Sequence, residues 1–279
     1  MTENNIEMIQ WYPGHMAKAN REIREKLKLI DLVIEIVDAR LPQSSKNPDI
    51  LQYTPNKKHL LLLNKSDLAD PETSKKWLAY FTEQKMADAV MLYDAFDRNQ
   101  KTLLIKRIHA LNSKNKPIVK CLICGIPNVG KSTVINSLIG KKKTQIGNKP
   151  GVTKGQQWLK TDENILLLDT PGILWPKFED PMVGIHLAWL GSIKDTIYEK
   201  QNLAADLLKY LVKYYPEQIE VLYKISLSQQ PLYEVFDAIS KSRGFLLKGG
   251  EYDYERTCNQ ILNDFKNGKI GRITLEQPV

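Results

Sequence analysis

Apolar residues gather along the chain in five short, nearly unbroken runs: residues 31–40 (DLVIEIVDAR), 58–64 (KHLLLLN), 88–95 (DAVMLYDA), 117–125 (PIVKCLICG) and 164–170 (NILLLDT). Runs of this length, apolar at both alternating positions, predict strands buried on both faces and so a parallel sheet covered by helices. The intervening stretches supply those helices. Residues 71–85 (PETSKKWLAYFTEQK) and 98–114 (RNQKTLLIKRIHALNSK) read as amphipathic helices, and 130–140 (GKSTVINSLIG) as a short helix closed by Gly140. The predicted fold class is α/β.

The pattern changes near residue 178. Residues 200–216 (KQNLAADLLKYLVKYYP) place Leu203, Leu207, Leu208, Leu211 and Val212 on one helical face. Residues 231–244 and 253–268 are similar, and each ends on glycine. No strand-like run of comparable strength follows, nor any internal repeat or low-complexity tract. The expected organisation is an α/β domain over residues 1–177 and a small helical C-terminal domain over 178–279, read as an RNA- or ribosome-interaction domain.

At 279 residues with 42% apolar content, the chain can bury one large core or two ordinary ones. No apolar run approaches the length of a membrane span, so no stable membrane association is expected. The opening MTENNIEMIQWYPGH lacks a basic segment followed by an apolar one, which argues against a signal peptide and for the cytoplasm. Cys121, Cys124 and Cys258 are too few for a disulfide framework. The C-L-I-C spacing falls inside a strand run, where residues three apart point to opposite faces, so core cysteines are expected.

Charge is unevenly distributed. Residues 101–160 hold thirteen Lys or Arg and no Asp or Glu, leaving 27 basic against 32 acidic groups elsewhere. One segment therefore carries more than the whole net charge of +8. A nucleotide with its Mg²⁺ does not need thirteen cations. The segment implies a polyanionic partner, RNA first, with a solvated basic surface as the alternative.

Inside that segment lies GIPNVGKS, Gly125 to Ser132, with phosphate-loop spacing between an apolar strand and a helix. Backbone N–H groups of Asn128, Val129, Gly130, Lys131 and Ser132, with Thr133 following, would wrap a β-phosphate at the helix N-terminus. Lys131 would bridge β- and γ-phosphates, and the Ser132 hydroxyl would coordinate Mg²⁺. NKSD (Asn64, Lys65, Ser66, Asp67) follows another apolar strand. The Asp67 carboxylate accepts only, which suits guanine's two adjacent donors and repels adenine's N1 lone pair. Asn64 can bond the purine's other edge, and the stem of Lys65 can lie over the ring. DTPG (Asp169 to Gly172) offers Asp169 to Mg²⁺ through water and the Gly172 N–H to the γ-phosphate. PGVT offers Thr153 to close the Mg²⁺ shell while GTP is bound.

These motifs stand in a rotated order, with NKSD ahead of the phosphate loop, Thr153 and DTPG. Native termini usually lie close together, so a permuted chain can rebuild one site. The arrangement resembles the circularly permuted GTPases, specifically the bacterial ribosome biogenesis GTPase A family. WYPGHMAKA, VDARLP, NKSD, GIPNVGKS, GVTKG, DTPG and GKIGRITLE all stand where that family has them. The resemblance implies a P-loop GTPase domain with permuted motifs, followed by the helical domain. It implies GTP hydrolysis, slow alone and stimulated by the ribosomal subunit. Its implied partner is the precursor of the large ribosomal subunit, met as a monomer through rRNA and ribosomal proteins. The second base-binding loop departs from the family's Ser-Ala, with Asp94-Ala95 here. The Ala95 N–H would meet guanine O6.

Where Ras-like proteins carry a water-positioning glutamine, this chain has Ile173, which cannot orient water. The resemblance implies a histidine from the N-terminal segment instead, at His15, and a K⁺ ligand at Asn128. Of the other histidines, His59 starts a strand, His109 lies in a predicted helix and His186 in the linker region. Two other readings are an RNA-binding module keeping GTP as a structural ligand, and a GTPase serving tRNA modification.

Overall fold

In the computed structural model, residues 11–112, 116–140, 157–228 and 230–278 are described, with backbone alone for His15, Ala19 and Asn20. Among these residues one sheet forms, in the order β3-β2-β1-β4-β6-β5. Its strands are β1 (Leu32–Asp38), β2 (Lys58–Asn64), β3 (Ala89–Tyr93), β4 (Val119–Cys124), β5 (Gln157–Lys160) and β6 (Ile165–Asp169). Neighbours are parallel except β5, which pairs antiparallel with β6 at the edge. The five apolar runs are β1 to β4 and β6. The short β5 escapes the sequence pattern because an edge strand need not be apolar, and both its end residues are exposed.

Helices α1 (Gly14–Lys26), α2 (Asp49–Tyr53), α3 (Pro71–Glu83), α4 (Arg98–Ala110) and α5 (Lys131–Ile139) accompany the sheet. After it come α6 (Pro181–Trp189), α7 (Lys200–Tyr214), α8 (Pro216–Tyr223), α9 (Leu232–Arg243) and α10 (Tyr254–Lys266). Asp70, Asp97, Asp180 and Asp253 cap α3, α4, α6 and α10 through their carboxylates, each a contribution of about 1 kcal/mol. Helix α6 was not foreseen. It is apolar on nearly every side, so it shows no helical period, and it is buried accordingly. His186 lies in this helix, not in a linker.

Trp77 and Phe81 of α3 pack with Val37, Leu61 and Leu63 in a small cluster of their own. The larger cluster draws buried side chains from both sides of residue 178, from Ile34 and Ile123 to Leu207 and Phe265. Cys121 and Cys124 are buried free thiols, as their strand run predicts, and Cys258 is a third. After α10 the chain returns to the sheet. The Ile273 N–H donates to Leu68 O, Leu275 N–H to Arg40 O and the Trp77 indole to Glu276 O. The Glu276 carboxylate accepts from the N–H groups of Gln43 and Ser44 and from the Ser44 hydroxyl, which also meets His186 Nδ1 at 2.8 Å.

A buried polar cluster joins β1 to β2. Glu35 of β1 is fully buried, accepts the Asn47 N–H at 3.1 Å, and has Lys46 Nζ at 3.8 Å and His59 Nε2 at 3.9 Å. Burial raises the Glu35 carboxyl, with Lys46 and the Asn47 N–H opposing it. Burial, reinforced by Lys46, pushes His59 down to about 4. His59 is therefore neutral in the fold, while the unfolded chain protonates near 6.5, so its contribution falls as pH drops between those values. Glu35 runs the opposite way. Replacing His59→Leu should flatten the loss of unfolding free energy between pH 6.5 and 4 by roughly 3 kcal/mol relative to the parent chain. Urea titrations across that window measure it, and parallel curves for the two proteins would contradict a neutral His59.

Candidate nucleotide site

The strands place their C-terminal ends together, where ligands bind in open α/β sheets. Asp38 ends β1 beside Asn64, which ends β2; Gly125 follows β4, and Asp169 ends β6. Residues 125–132 form the loop between β4 and α5. Gly130 has φ 94°, and a Cβ there would lie 2.4 Å from the Asn64 amide nitrogen. Only glycine allows the two motifs to approach so closely.

Asn64 Nδ2 donates to Val129 O at 2.8 Å, and Lys65 Nζ to Asn128 O at 2.7 Å. The predicted base-reading segment is thus bonded directly to the phosphate loop. Asn64, read from sequence as bonding the purine's other edge, commits its amide nitrogen to a bond inside the protein. Lys65, at φ 60°, also reaches Asp38 Oδ2 at 2.9 Å. Arg40 grips the same carboxylate through Nε at 2.9 Å and Nη2 at 2.8 Å. Burial alone would raise Asp38; Arg40 and Lys65 outweigh it and hold the group far below the usual carboxylate range.

Lys131 lies buried under the loop, its Nζ donating to Gly125 O at 3.1 Å and Ile126 O at 2.8 Å. Burial pushes it down to about 8, with Asp169 opposing. Asp169 is its counterpart: burial pushes it up to about 6, with Lys131 opposing. Both Asp169 carboxylate oxygens are buried without a hydrogen-bond partner. A buried, unanswered carboxylate beside a phosphate-loop lysine fits the water shell of a divalent cation and a polyphosphate, since each would supply the charge the other lacks.

The DTPG turn leans on the loop. A Cβ on Gly172 would stand 2.6 Å from Pro127 N, and the Ile173 N–H donates to Gly125 O at 3.3 Å. Ile173 is buried, and its carbonyl accepts from Asn47 Nδ2. Leu174 N–H points at the sulfur of Met16 at 3.5 Å. The first turn of α1, which contains the His15 backbone, therefore reaches the segment just after DTPG. Thr153 lies outside the described residues, as do Lys141, Lys142 and Lys143. Ser132 and Thr133 open α5, both half-buried. Asp94 accepts the Phe96 N–H through Oδ1 at 2.8 Å, so the side chain closes its own turn, as a serine can. Ala95 follows within that turn, half-buried against the core. That explains how Asp stands where the family tends to have Ser.

Several groups that hold the site were not foreseen. The Asn128 side-chain amide donates to Gly191 O, and the Ser192 hydroxyl to Pro127 O at 2.7 Å. The turn after α6 thus braces the phosphate loop from outside the sheet. Asp38 and Arg40 lie in VDARLP, and Arg272 in GKIGRITLE; both stretches stand out in the sequence, but no spacing rule assigns them partners.

A phosphate loop on a parallel sheet, bonded to an N-K-x-D segment that precedes it in the chain, defines a P-loop GTPase of permuted order. The model of the family described as "50S ribosome-binding GTPase" matches residues 120–237. Ribosome biogenesis GTPase A of Priestia megaterium is 47% identical over 279 residues, covering 97% of each chain. Its Thermotoga maritima counterpart is 32% identical over 272 residues, covering 97% of this chain and 95% of that one. Among solved structures, GDP-bound TM YlqF aligns with TM-score 0.71 at 28% identity, covering 92% of this chain and 99% of that one. The GNP-bound YlqF from T. maritima aligns with TM-score 0.67 at 30% identity, covering 94% and 98%. This chain belongs to the ribosome biogenesis GTPase A family, and it hydrolyses GTP.

Burial, and then the Asp94 carboxylate, raise Asp67 above its ordinary 3.8. If Asp67 reads the base, only its ionised form can accept both guanine donors. GDP affinity should therefore fall on acidification at a higher pH than an ordinary aspartate would give, and Asp94→Ser should move that fall to lower pH. Asp67→Asn should favour xanthine nucleotides, whose 2-oxo group accepts from the new amide. Fluorescence titrations with guanine, xanthine and adenine diphosphates measure both effects; equal binding of adenine and guanine by the parent chain would remove Asp67 from base reading.

Proposed function

We propose that the protein is a GTP-driven assembly factor for the large ribosomal subunit, binding its precursor through rRNA in a nucleotide-dependent way. The observation that carries this reading is the bracing of the phosphate loop by the turn at Gly191 and Ser192, which joins α6 to the helices that follow. Any change in the loop between GTP and GDP pulls on those helices. We divide the work accordingly: residues 1–177 bind and cut GTP, and residues 178–279 meet the particle. The cation-rich segment 101–160 supplies the attraction to rRNA. The protein acts as a monomer in the cytoplasm, where its proposed partner is found.

In this reading Asn64, Lys65, Ser66, Asp67, Asp94 and Ala95 surround the guanine, while the backbone from Asn128 to Thr133 cradles the phosphates. Mg²⁺, held by Ser132, Thr153 and, through water, Asp169, would supply positive charge at the β- and γ-phosphates. Lys131 leaves the loop carbonyls for the phosphates and regains full charge there. Water attacks the γ-phosphorus, and the bond to the β,γ-bridging oxygen breaks. Lys131 and the Gly172 N–H stabilise the charge that develops, and the Asn128 side-chain oxygen would hold K⁺, adding positive charge near the phosphates. Ile173 is buried and apolar, so the polar group facing the water comes from elsewhere. The contact of Met16 with Leu174 brings the first turn of α1 to this point and supports His15.

Co-sedimentation with ribosomal subunits tests the reading. The protein should pellet with the large subunit or its precursor in a non-hydrolysable GTP analogue and less in GDP. Binding should weaken steeply with salt, and replacing Lys141, Lys142 and Lys143 with Gln should flatten that slope while sparing GDP affinity. Binding indifferent to nucleotide would refute a GTP-driven cycle.

His15→Ala should lower GTP turnover by about a hundredfold or more while leaving GTP and GDP affinity nearly unchanged, because the loss falls on the transition state. Single-turnover assays, free and with the large subunit, read this directly. Turnover that survives in both would make His15 structural and shift attention to K⁺ at Asn128.

A further inference from the structure

The loop carrying Asn64 to Asp67 is shaped by residues two hundred positions away. Three of its carbonyls are taken by the segment after α10: Arg272 Nη2 donates to Ser66 O at 3.2 Å and Nε to Ala69 O at 3.1 Å, and the Ile273 N–H donates to Leu68 O at 3.1 Å. The Asp70 N–H donates to Thr274 Oγ1 at 3.0 Å. Gly268, at the end of α10, presses on Leu68 so closely that a Cβ would lie 2.5 Å from its methyl carbon. From the other side, Arg40 holds Asp38 and Lys65's anchor while donating Nη1 to Phe265 O at 2.6 Å. Between these supports Asp67 is an exposed residue.

A loop with three carbonyls satisfied by one other segment takes much of its curvature from that segment. Two bonds from one planar guanidinium to carbonyls three residues apart set the chord of the turn, and with it the position of the carboxylate at its tip. We propose that Arg272 is a positioning residue for guanine recognition: the segment 268–274 holds the Asn64–Asp67 loop in the shape that reads the base. Guanine affinity then depends on the docking of the C-terminal helices. By reciprocity, bound nucleotide stabilises that docking. This rests on the assignment of Asn64 to Asp67 as the guanine-reading loop.

The test compares GDP with inosine diphosphate, which lacks the 2-amino group and so one of the two donors offered to Asp67. In Arg272→Ala, the dissociation constant for GDP should rise about tenfold, the scale of two lost hydrogen bonds. The preference for GDP over inosine diphosphate should shrink, because a displaced carboxylate no longer meets both donors. KM for GTP should rise while kcat at saturation stays within about twofold. Arg272→Lys, which keeps the charge without the fork, should fall between the parent and the alanine variant. Unchanged GDP affinity and preference would overturn the proposal. So would equal losses for both nucleotides together with a lower melting temperature, the signature of a merely structural arginine. Should Arg272→Ala fail to fold, Thr274→Val carries the test: it removes the acceptor of the Asp70 N–H, and a preference that does not fall would equally overturn the proposal. Asp67→Asn separates the two readings. If it leaves guanine preference intact, the base-loop assignment fails; if it abolishes the preference while Arg272→Ala and Thr274→Val do not alter it, the positioning role alone fails.

Discussion

The buried carboxylate of Asp38 is the interaction on which most of the site depends. It is fully enclosed, and two cations, Arg40 and Lys65, answer it. Removing one partner of such a pair usually costs about 3–5 kcal/mol, because the remaining charge stays buried. Each partner also has a second task. Lys65 continues to the carbonyl of Asn128, and Arg40 to the carbonyls of Phe265 and Lys266. One carboxylate therefore ties together the end of β1, the NKSD loop, the phosphate loop and the end of α10.

Around that anchor the motifs are held by contact with one another as much as with the sheet. Gly130 sits on Asn64, Gly172 on Pro127, and Gly268 on Leu68, each at a separation that a side chain would forbid. Rigid contacts of this kind transmit displacement, since packed interfaces have discrete arrangements and do not deform smoothly. The phosphate loop touches the C-terminal region through Gly191 and Ser192 in the turn after α6, and the Asn64–Asp67 loop touches it through Arg272 and Thr274 in the segment after α10. The C-terminal region thus meets both the phosphate loop and the NKSD loop.

The charges of the site are arranged as an unfinished set. Lys131 and Asp169 each lose part of their ionisation to burial and recover part from the other. Such a pair is costly to the fold and suited to a ligand that carries both signs, a polyphosphate with its metal. Burial, and after it the nearby Asp94 carboxylate, likewise raises Asp67. In the proposed role of Asp67, guanine's two donors would offset that cost. Both tensions fall on the ligand side of the sheet, where binding can offset them.

Much of this was legible in the chain. Near-continuous apolar runs announced β1 to β4 and β6, because a strand buried on both faces has no choice of residue type. The phosphate loop, NKSD and DTPG declared themselves by spacing, since each motif is local and its chemistry is carried by adjacent residues. Their rotated order also follows from sequence alone. The polar β5 and the uniformly apolar α6 did not declare themselves, because neither has a period. What the tertiary structure decided is how distant segments meet. That Asn64 bonds Val129, that Asp38 is shared by Arg40 and Lys65, and that Arg272 shapes the loop at Ser66 are long-range pairings. A backbone carbonyl carries no residue identity, so no pattern in the sequence names the partner that will satisfy it.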